Sequence, residues 1–382
     1  MENTWDVIVI GGGAAGLGAA LMLGRARRRT LVVDAGSPRN RFAAHMHGVL
    51  GHEGTDPAEL LERGRREVAG YGVQVRPGTV ERVDATDRDV RLTLTGGDVV
   101  TARAVVVATG ITDELPDVPG LAERWGSQVL HCPYCHGWEV RDRRLGVLTT
   151  SPMSLHQAEL VRQWSDTVTV FTSALGAVDT HTRQRLQARG LQLVDSPPVA
   201  VTDGEDGALA VRTEDGDVVH LDAIFTAGTP RTHDGFLAHL GLERTDSPVG
   251  SVLAVDPAGR TSHPRIWAAG NVVTPMGNVP MSLSAGSTTG AFVNAVLVGE
   301  DFDQALIRTD PAAFWEDRYA GSGRVWSGEP NATLVDVVAG LTPGRALDLG
   351  CGEGGDAIWL ARHGWDATGI DISPTAVARA TE

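Results

Sequence analysis

The residues best suited to chemistry lie in Cys132-Pro133-Tyr134-Cys135-His136, where two residues separate a pair of cysteines. A Cys-x-x-Cys pair can cycle between a dithiol and a disulfide, and the thiolate is its reactive form. The chain has 3 cysteines in all, and the third, Cys351, is remote in sequence, so a disulfide framework of the secreted kind is excluded. The motif therefore favours redox chemistry, with a structural disulfide as the alternative.

A histidine directly follows the second cysteine. The unperturbed imidazole pKa of about 6.5 suits a base that removes a proton from a substrate thiol near neutral pH. An imidazolium could also lower the pKa of a nearby thiol from about 8.5. We interpret His136 as a candidate catalytic residue; the alternative is a surface histidine that adjoins the motif.

The sequence does not predict a metal site. A zinc site would require a second pair of ligands, and the chain has no second Cys-x-x-Cys, so the motif could only be an incomplete metal site. His45, His47 and His52 have no carboxylates at a ligand spacing, and we interpret them as loop or cofactor-flanking residues.

The dithiol must be positioned by a fold, and the N-terminus predicts one. Residues 6–10 form a continuous apolar and β-branched run, as in a parallel strand that is buried on both faces. The next six residues match G-x-G-x-x-G. Gly11 would form the tight turn, Gly13 would admit a pyrophosphate, and Gly16 would let the helix pack closely on the strand.

A second strand over residues 30–34 ends in Asp34, a carboxylate that could accept hydrogen bonds from a ribose. Strand, glycine turn, helix and acid together predict a dinucleotide-binding site, with a plain glycine-rich turn as the alternative. A dithiol in a chain with such a site indicates electron transfer between the dithiol and a flavin.

Composition excludes several other classes of function. The chain has 382 residues, enough for two to three domains, and its 33 basic and 48 acidic residues give a net charge of −15. This charge disfavours binding to nucleic acid or to an anionic membrane surface. We find no signal peptide and no apolar run long enough to span a bilayer, so a cytoplasmic protein is expected. The absence of lysine excludes Schiff-base chemistry.

These motifs occur in the order seen in thioredoxin-reductase-like flavoproteins, and residues 5–305 resemble that family. The matching segments are the glycine motif, Asp34-Ala35-Gly36-Ser37-Pro38-Arg39-Asn40, Ala108-Thr109-Gly110, the Cys-x-x-Cys and Ala268-Ala269-Gly270-Asn271. The resemblance implies FAD at the first site and a homodimer. The residues it assigns to FAD are Gly11, Gly13, Gly16, Asp34, Arg39, Asn40, Thr109, Gly110, Gly270, Asn271 and Val279. The family usually has aspartate where Asn271 stands.

The resemblance also implies an α/β fold with two dinucleotide-binding domains. A Rossmann-like FAD domain in two parts, 1–116 and 229–305, would enclose an NADPH-like domain, 117–228, that carries the dithiol. The inserted domain is degenerate: residues 149–154 contain no glycine, and residues 172–177 lack the arginines that receive the 2′-phosphate in the family. NADPH is therefore expected to bind weakly or not at all.

A flavin dithiol enzyme without a nicotinamide site resembles the dithiol oxidases of natural-product pathways, of the gliotoxin and holomycin kind, more than thioredoxin reductase itself. This resemblance implies that Cys135 is nearest the flavin, that Cys132 exchanges with a substrate dithiol, and that dioxygen accepts the electrons. The substrate would be a small-molecule dithiol or a thioredoxin-like protein. Two alternatives stay open: an NAD(P)H-dependent thioredoxin-disulfide reductase, and a non-catalytic flavin-binding module whose dithiol is structural.

Residues 306–382 have a different character. Residues 346–354 and 367–373 resemble the strand, glycine loop and second strand of class I S-adenosylmethionine-dependent methyltransferases, which implies a partial Rossmann-like domain. Asp348, Gly350 and Gly352 would form the S-adenosylmethionine loop, and Asp371 would contact the ribose. Cys351 would be a small buried residue, and another nucleotide-binding βαβ unit is the alternative. We expect this part, which is truncated, not to methylate as it stands, because a doubly wound sheet requires further strands.

Overall fold

The computed structural model describes residues 4–247, 249–321 and 323–381. The chain divides into two compact units, 1–294 and 295–382. In the described residues the strands are, in chain order, β1 (Thr4–Ile10), β2 (Thr30–Asp34), β3 (Gln74–Pro77), β4 (Val80–Ala85), β5 (Val90–Leu94), β6 (Val99–Val107), β7 (Ile111–Glu114), β8 (Val129–Leu130), β9 (Leu145–Leu148), β10 (Val168–Phe171), β11 (Gln192–Val194), β12 (Pro198–Asp203), β13 (Leu209–Thr213), β14 (Val218–Leu221), β15 (Ala223–Thr226), β16 (Thr229–Thr232), β17 (Arg244–Ser247), β18 (Gly250–Leu253), β19 (Ile266–Ala268), β20 (Arg345–Leu349) and β21 (Asp366–Ile370). The helices are α1 (Ala14–Arg25), α2 (Pro57–Gly70), α3 (Pro133–His136), α4 (Ser154–Val161), α5 (Thr180–Ala188), α6 (Val279–Thr309), α7 (Pro311–Ala320), α8 (Ala332–Val338), α9 (Gly355–Arg362) and α10 (Pro374–Ala380).

The first sheet carries the predicted dinucleotide site. Its strand order is β3-β2-β1-β6-β5-β4, and β19 also pairs with β6. The pairs β2-β3, β1-β2, β1-β6 and β6-β19 are parallel. Val7, Ile8 and Val9 of β1 are fully buried, as expected for a strand covered on both faces. The predicted strand and its acidic successor are thus confirmed as neighbours in one doubly covered sheet.

A second parallel sheet, in the order β11-β10-β9-β15-β8, forms the region in which the dithiol lies. The antiparallel strands β12, β13 and β14 pack against it through a shared apolar cluster that includes Leu121, Phe171 and Leu209. The chain leaves the first sheet through β7 and returns through β16, and these two strands form an antiparallel ribbon. The sequence predicted a second dinucleotide-binding-like domain inserted into the first, and the second sheet agrees with this prediction. The boundaries of the domains remain predictions.

Helix α6 corrects one expectation. It has 31 residues and a window with a mean hydropathy of 1.2, so by length and composition alone it could cross a membrane. The sequence analysis missed it because small residues are interspersed among its apolar ones. A Cβ at Gly290 would meet the Ala19 carbonyl oxygen at 2.6 Å, and one at Gly18 would meet the Leu283 carbonyl oxygen at 2.9 Å. The N-terminal half of α6 therefore packs tightly against α1, as a core helix does.

In the second unit, β20 and β21 form a parallel pair, and α9 connects them. The buried carboxylate of Glu353 organises the surrounding loops. Its oxygens accept hydrogen bonds from the backbone N–H groups of Val325 and Trp326 and pair with the Arg379 guanidinium at 2.8 Å. The strand-loop-helix-strand unit predicted from the sequence is present in this part of the chain.

Candidate active site

The two motif cysteines form a disulfide at the start of a single helical turn. Cys132 and Cys135 have a Cα–Cα distance of 5.2 Å, and Cys132 caps α3. The backbone N–H of Cys135 donates to Cys132 Sγ at 3.2 Å. This donor would also stabilise a thiolate on Cys132, because a hydrogen bond to the charged form lowers a thiol pKa. Proline at the first helical position fixes the turn that holds this geometry.

The disulfide lines the same large cleft as the predicted dinucleotide site. The cleft has a volume of about 1660 Å³ and a largely apolar wall. The predicted residues that line it are Gly11, Gly13, Asp34, Arg39, Asn40, Thr109, Gly110, Cys132, Cys135, His136, Asn271 and Val279. Residues separated by almost 270 positions thus share one cavity that can hold a cofactor beside a redox pair.

Gly16 and Gly270 lie outside the wall of this cleft and have packing roles. A Cβ at Gly16 would collide with the Gly11 carbonyl oxygen, so glycine permits the close approach of α1 to β1. Gly270 has a φ of +79°, and a Cβ there would meet the Ala15 Cβ at 2.7 Å. Both residues shape the cleft from behind its surface.

The glycine turn leaves space where a pyrophosphate would bind. Gly11 has a φ of +105°, and an added Cβ at Gly13 meets nothing within 4 Å. Helix α1 begins at Ala14 without a side-chain cap, so its first N–H groups face the cleft as an anion site would require. This cradle fits the phosphates of a dinucleotide.

Hydrogen bonds from neighbouring backbone N–H groups hold the Asp34 carboxylate in place. Its Oδ1 accepts hydrogen bonds from the N–H groups of Gly12 (3.1 Å) and Gly36 (3.2 Å), and Arg65 Nη1 lies 3.7 Å from Oδ2. A Cβ at Gly12 would meet Asp34 Oδ2 at 2.6 Å. Gly12 therefore matters as much as its motif neighbours, although the G-x-G-x-x-G pattern treats its position as variable.

One buried polar atom in the cleft supports a bound cofactor. Thr109 Oγ1 is buried and has no hydrogen-bond partner among the described residues. An orphaned buried hydroxyl costs free energy unless a ligand or water satisfies it. The resemblance assigned Thr109 to FAD, and the orphaned oxygen fits that assignment.

The side chains of Arg39 and Asn271 donate hydrogen bonds to other groups of the protein. Arg39 Nε and Nη2 pair with both oxygens of Asp113 at 2.7 Å, and Nη1 donates to the Pro275 carbonyl oxygen at 2.8 Å. Asn271 Nδ2 donates to the carbonyl oxygens of Thr274, Pro275 and Gly277 at 3.1, 3.2 and 2.8 Å. Both side chains therefore shape the loop that precedes α6, which the motif alone could not indicate.

Asn271→Asp tests this loop contact. A carboxylate would face three carbonyl oxygens instead of donating to them, so we expect a loss of about 1–3 kcal/mol in the free energy of unfolding even without cofactor. Thermal unfolding of the flavin-free protein measures it. An unchanged stability would show that the side chain acts only on bound FAD, through an oxygen that aspartate retains.

His136 is partly buried beside the disulfide, and burial lowers its pKa below the ordinary imidazole value. Glu139 opposes this shift, and His47 and His131 add to it. The imidazole is therefore neutral at physiological pH and can accept a proton. This environment favours the base interpretation over that of a surface histidine.

His131 is a residue that the sequence analysis missed. It precedes Cys132 as His136 follows Cys135, and burial followed by the charge of Arg39 lowers its pKa. Its Nε2 lies 3.5 Å from Arg39 Nη2, and its buried Nδ1 has no partner among the described residues. In the sequence, the only signal that pointed to His131 was the symmetric placement of the two histidines on either side of the motif.

In the second predicted dinucleotide site, a side chain takes hydrogen-bond donors of the loop at Thr150, Ser151 and Ser154, which also lines the large cleft. Ser154 Oγ accepts hydrogen bonds from the N–H groups of Thr150 (3.0 Å) and Ser151 (3.4 Å), which are the donors that a phosphate would use. At the end of β10, Thr172 donates to the Asp195 carboxylate. A hydrogen bond from Arg183 Nη2 at 2.7 Å lowers the pKa of Asp195, so this carboxylate is held in an ion pair beside the end of β10.

In the second unit the predicted S-adenosylmethionine residues surround one loop. Asp371 accepts hydrogen bonds from the N–H groups of Gly352 and Ser373, both at 2.8 Å. Gly350 has a φ of +81°. Burial raises the pKa of Asp348, whose Oδ2 has no partner in the described part of the chain. Cys351 packs on β21, where a Cβ at Gly369 would meet its Sγ at 2.8 Å, and burial raises its thiol pKa.

The chain belongs to the pyridine nucleotide-disulphide oxidoreductase family, which matches residues 5–290. It is an FAD-dependent disulfide oxidoreductase of the thioredoxin-reductase-like kind. Residues 346–382 match a methyltransferase domain.

Three relatives define the likeness further. Thioredoxin reductase sirT of Leptosphaeria maculans is 32% identical, and thioredoxin reductase tcpT of Claviceps purpurea is 31% identical; each match covers 78% of this chain and 96% of the relative. The crystal structure of HlmI superposes with a TM-score of 0.76 at 42% identity, covering 82% of this chain and 98% of HlmI. The predicted family and fold class are therefore confirmed.

Proposed function

We propose that this protein oxidises dithiols to disulfides and passes the electrons to dioxygen, with a small-molecule dithiol as substrate. The altered second dinucleotide site carries the proposal, because Ser154 takes the N–H groups of Thr150 and Ser151 that a phosphate would use. An enzyme that binds NADPH weakly or not at all can still receive electrons from a thiol substrate. The similarity to sirT and tcpT, which are named thioredoxin reductases, supports thiol–disulfide exchange as the chemistry of the site.

The chemistry at the protein begins with the Cys132–Cys135 disulfide. His136 removes a proton from the first substrate thiol, and the thiolate attacks Cys132 Sγ, so that the disulfide breaks and Cys135 leaves as a thiolate. The second substrate thiolate then attacks the substrate sulfur of the mixed disulfide and releases Cys132. The cysteine pair then closes to its disulfide again and gives up an electron pair. FAD, when bound beside it, would supply the acceptor through which this pair reaches dioxygen, with hydrogen peroxide as the product.

The FAD would be held by the glycine turn and Asp34, with Thr109 Oγ1 as an otherwise unpartnered contact. A stoichiometry measurement tests the acceptor. In air, each dithiothreitol oxidised should yield one hydrogen peroxide, and catalase should not slow dithiol loss. Dithiol oxidation with no peroxide and no oxygen consumption would contradict dioxygen as the acceptor.

We propose in addition that the second unit binds S-adenosylmethionine. The orphaned Asp348 Oδ2 supports this, because it offers a buried acceptor beside the glycine loop. Asp371 would receive the ribose hydroxyls. Calorimetric titration of the full chain with S-adenosylmethionine should show binding that Asp371→Ala removes while leaving the flavin content unchanged; equal binding by the variant would contradict the assignment.

A further inference from the structure

Tyr134 stands inside the reacting motif, and its ring is open to solvent. It is the second residue of α3, lies between Cys132 and Cys135 in the chain, and lines the large cleft together with both of them. Tyr134 is 74% exposed, although an aromatic ring has much apolar surface to bury. A tyrosine has only two side-chain torsions and loses little entropy on binding, so it suits contact with a ligand. Its place in the motif makes the substrate dithiol the ligand to consider.

The ring of Tyr134 is supported from one side by a second aromatic ring. It meets the Trp164 ring edge to face, with 5.6 Å between the ring centroids and 90° between the planes. Gly137 lets Trp164 pack directly against α3, because an added Cβ at Gly137 would meet Trp164 Cδ2 at 2.7 Å. The exposed ring is therefore held before any substrate arrives, and such preorganisation lowers the entropic cost of binding.

The region that the family resemblance assigns to NADPH adds apolar side chains to the same cleft. Met153 and Leu160 line the cleft, and Met153 is 44% exposed. Helix α4, which begins directly after Met153, is joined to the dithiol segment by Gln157, whose Nε2 donates to the His131 carbonyl oxygen at 2.7 Å. Ser154 Oγ takes the loop N–H groups, so this wall offers apolar side chains where a dinucleotide site would offer phosphate donors. A methionine thioether adapts its shape to apolar and aromatic ligands.

We propose that Tyr134, Met153 and Leu160 bind the apolar body of the substrate, and that the substrate is a small dithiol whose thiols are carried on a ring. This inference rests on the proposed function and names the chemical class of its substrate. The Tyr134 ring would pack against the substrate ring, as aromatic pairs do, while the exchange chemistry at Cys132 stays as described. A concave and largely apolar cleft suits such a small molecule better than it suits the convex surface of a thioredoxin-like protein.

Anaerobic stopped-flow reduction of the flavin in the intact flavoprotein tests the inference, with ortho-benzenedimethanethiol and dithiothreitol as separate reductants. Both are dithiols, but only the first carries its thiols on an aromatic ring. We expect Tyr134→Ala to lower the ratio of their second-order rate constants, aromatic dithiol over dithiothreitol, by about tenfold, because only the aromatic dithiol loses a ring contact. Tyr134→Phe should keep the ratio of the parent protein, since the ring makes the contact. Tyr71→Ala is the matched control, because Tyr71 is also exposed but lies outside the cleft wall.

Met153→Ser should lower the same ratio by about threefold, and it replaces Tyr134→Ala if that variant fails to retain flavin. A ratio that stays unchanged in these variants, including an equal loss with both dithiols, would overturn the inference. A parent protein that reacts faster with reduced thioredoxin than with the aromatic dithiol would also overturn it, in favour of a protein substrate. A parent protein whose flavin is reduced by none of these thiols would instead overturn the proposed function.

Discussion

Cys135→Ser should abolish flavin reduction by dithiols, with a loss of at least about a thousandfold, because the residues of a catalytic unit act together. Without Cys135 the protein cannot form the Cys132–Cys135 disulfide, and a substrate dithiol has no acceptor for its electrons. Anaerobic flavin absorbance after mixing with dithiothreitol measures the effect. Cys351→Ser is the matched control, since it removes the third cysteine, in the second unit.

Retained steady-state oxidation of a dithiol by Cys135→Ser would contradict the exchange scheme. The single variants also test the roles of the two cysteines. If Cys135 is nearest the flavin, the thiolate left in Cys132→Ser should produce a long-wavelength absorbance band that Cys135→Ser lacks. The reverse pattern would exchange the roles of Cys132 and Cys135 while leaving the chemistry intact.

His136→Asn should slow flavin reduction by about a hundredfold at neutral pH, the effect of losing a positioned general base. Burial lowers the pKa of His136 below 6.5, so in the parent protein the rate should rise with pH through a value below 6.5 and then level off above it. In the variant the rate should instead keep rising toward the pKa of the substrate thiol. The pH dependence of the reductive half-reaction distinguishes the two.

The charges of Glu139, His47 and His131 act on the His136 imidazole, and the pH profile reports their combined influence. Flavin content and thermal unfolding of His136→Asn should match those of the parent protein, since the imidazole makes no hydrogen bond that the structure describes. A parent profile that rises only above pH 8, as an unassisted thiol would, contradicts the base role of His136.

The sequence predicted the elements whose signals are local. The apolar run before Gly11 became β1, and the acid-ended run became β2. These features depend on side-chain periodicity and turn chemistry within a few residues. The family resemblance then supplied their arrangement.

Contacts across the fold could not be predicted in this way. The Arg39–Asp113 pair joins residues 74 positions apart in the chain. A sequence motif cannot show that the Arg39 guanidinium donates hydrogen bonds to the Asp113 carboxylate. His47 likewise lies 3.5 Å from Glu139 Oε1, a neighbour that approaches it only in the folded chain. Gly270 belongs to a motif that resembles the family. In the structure, its lack of a side chain leaves room for the Ala15 side chain, and the motif alone does not show this packing requirement.

The central claim is the direction of electron flow, and an anaerobic titration of the purified flavoprotein tests it most directly. Flavin absorbance would be followed during separate additions of NADPH and of dithiothreitol. We expect dithiothreitol alone to bleach the flavin and air to restore the colour, because Ser154 takes the loop N–H groups that a phosphate of NADPH would use. Prompt bleaching by NADPH would contradict the account and identify the protein as a reductase.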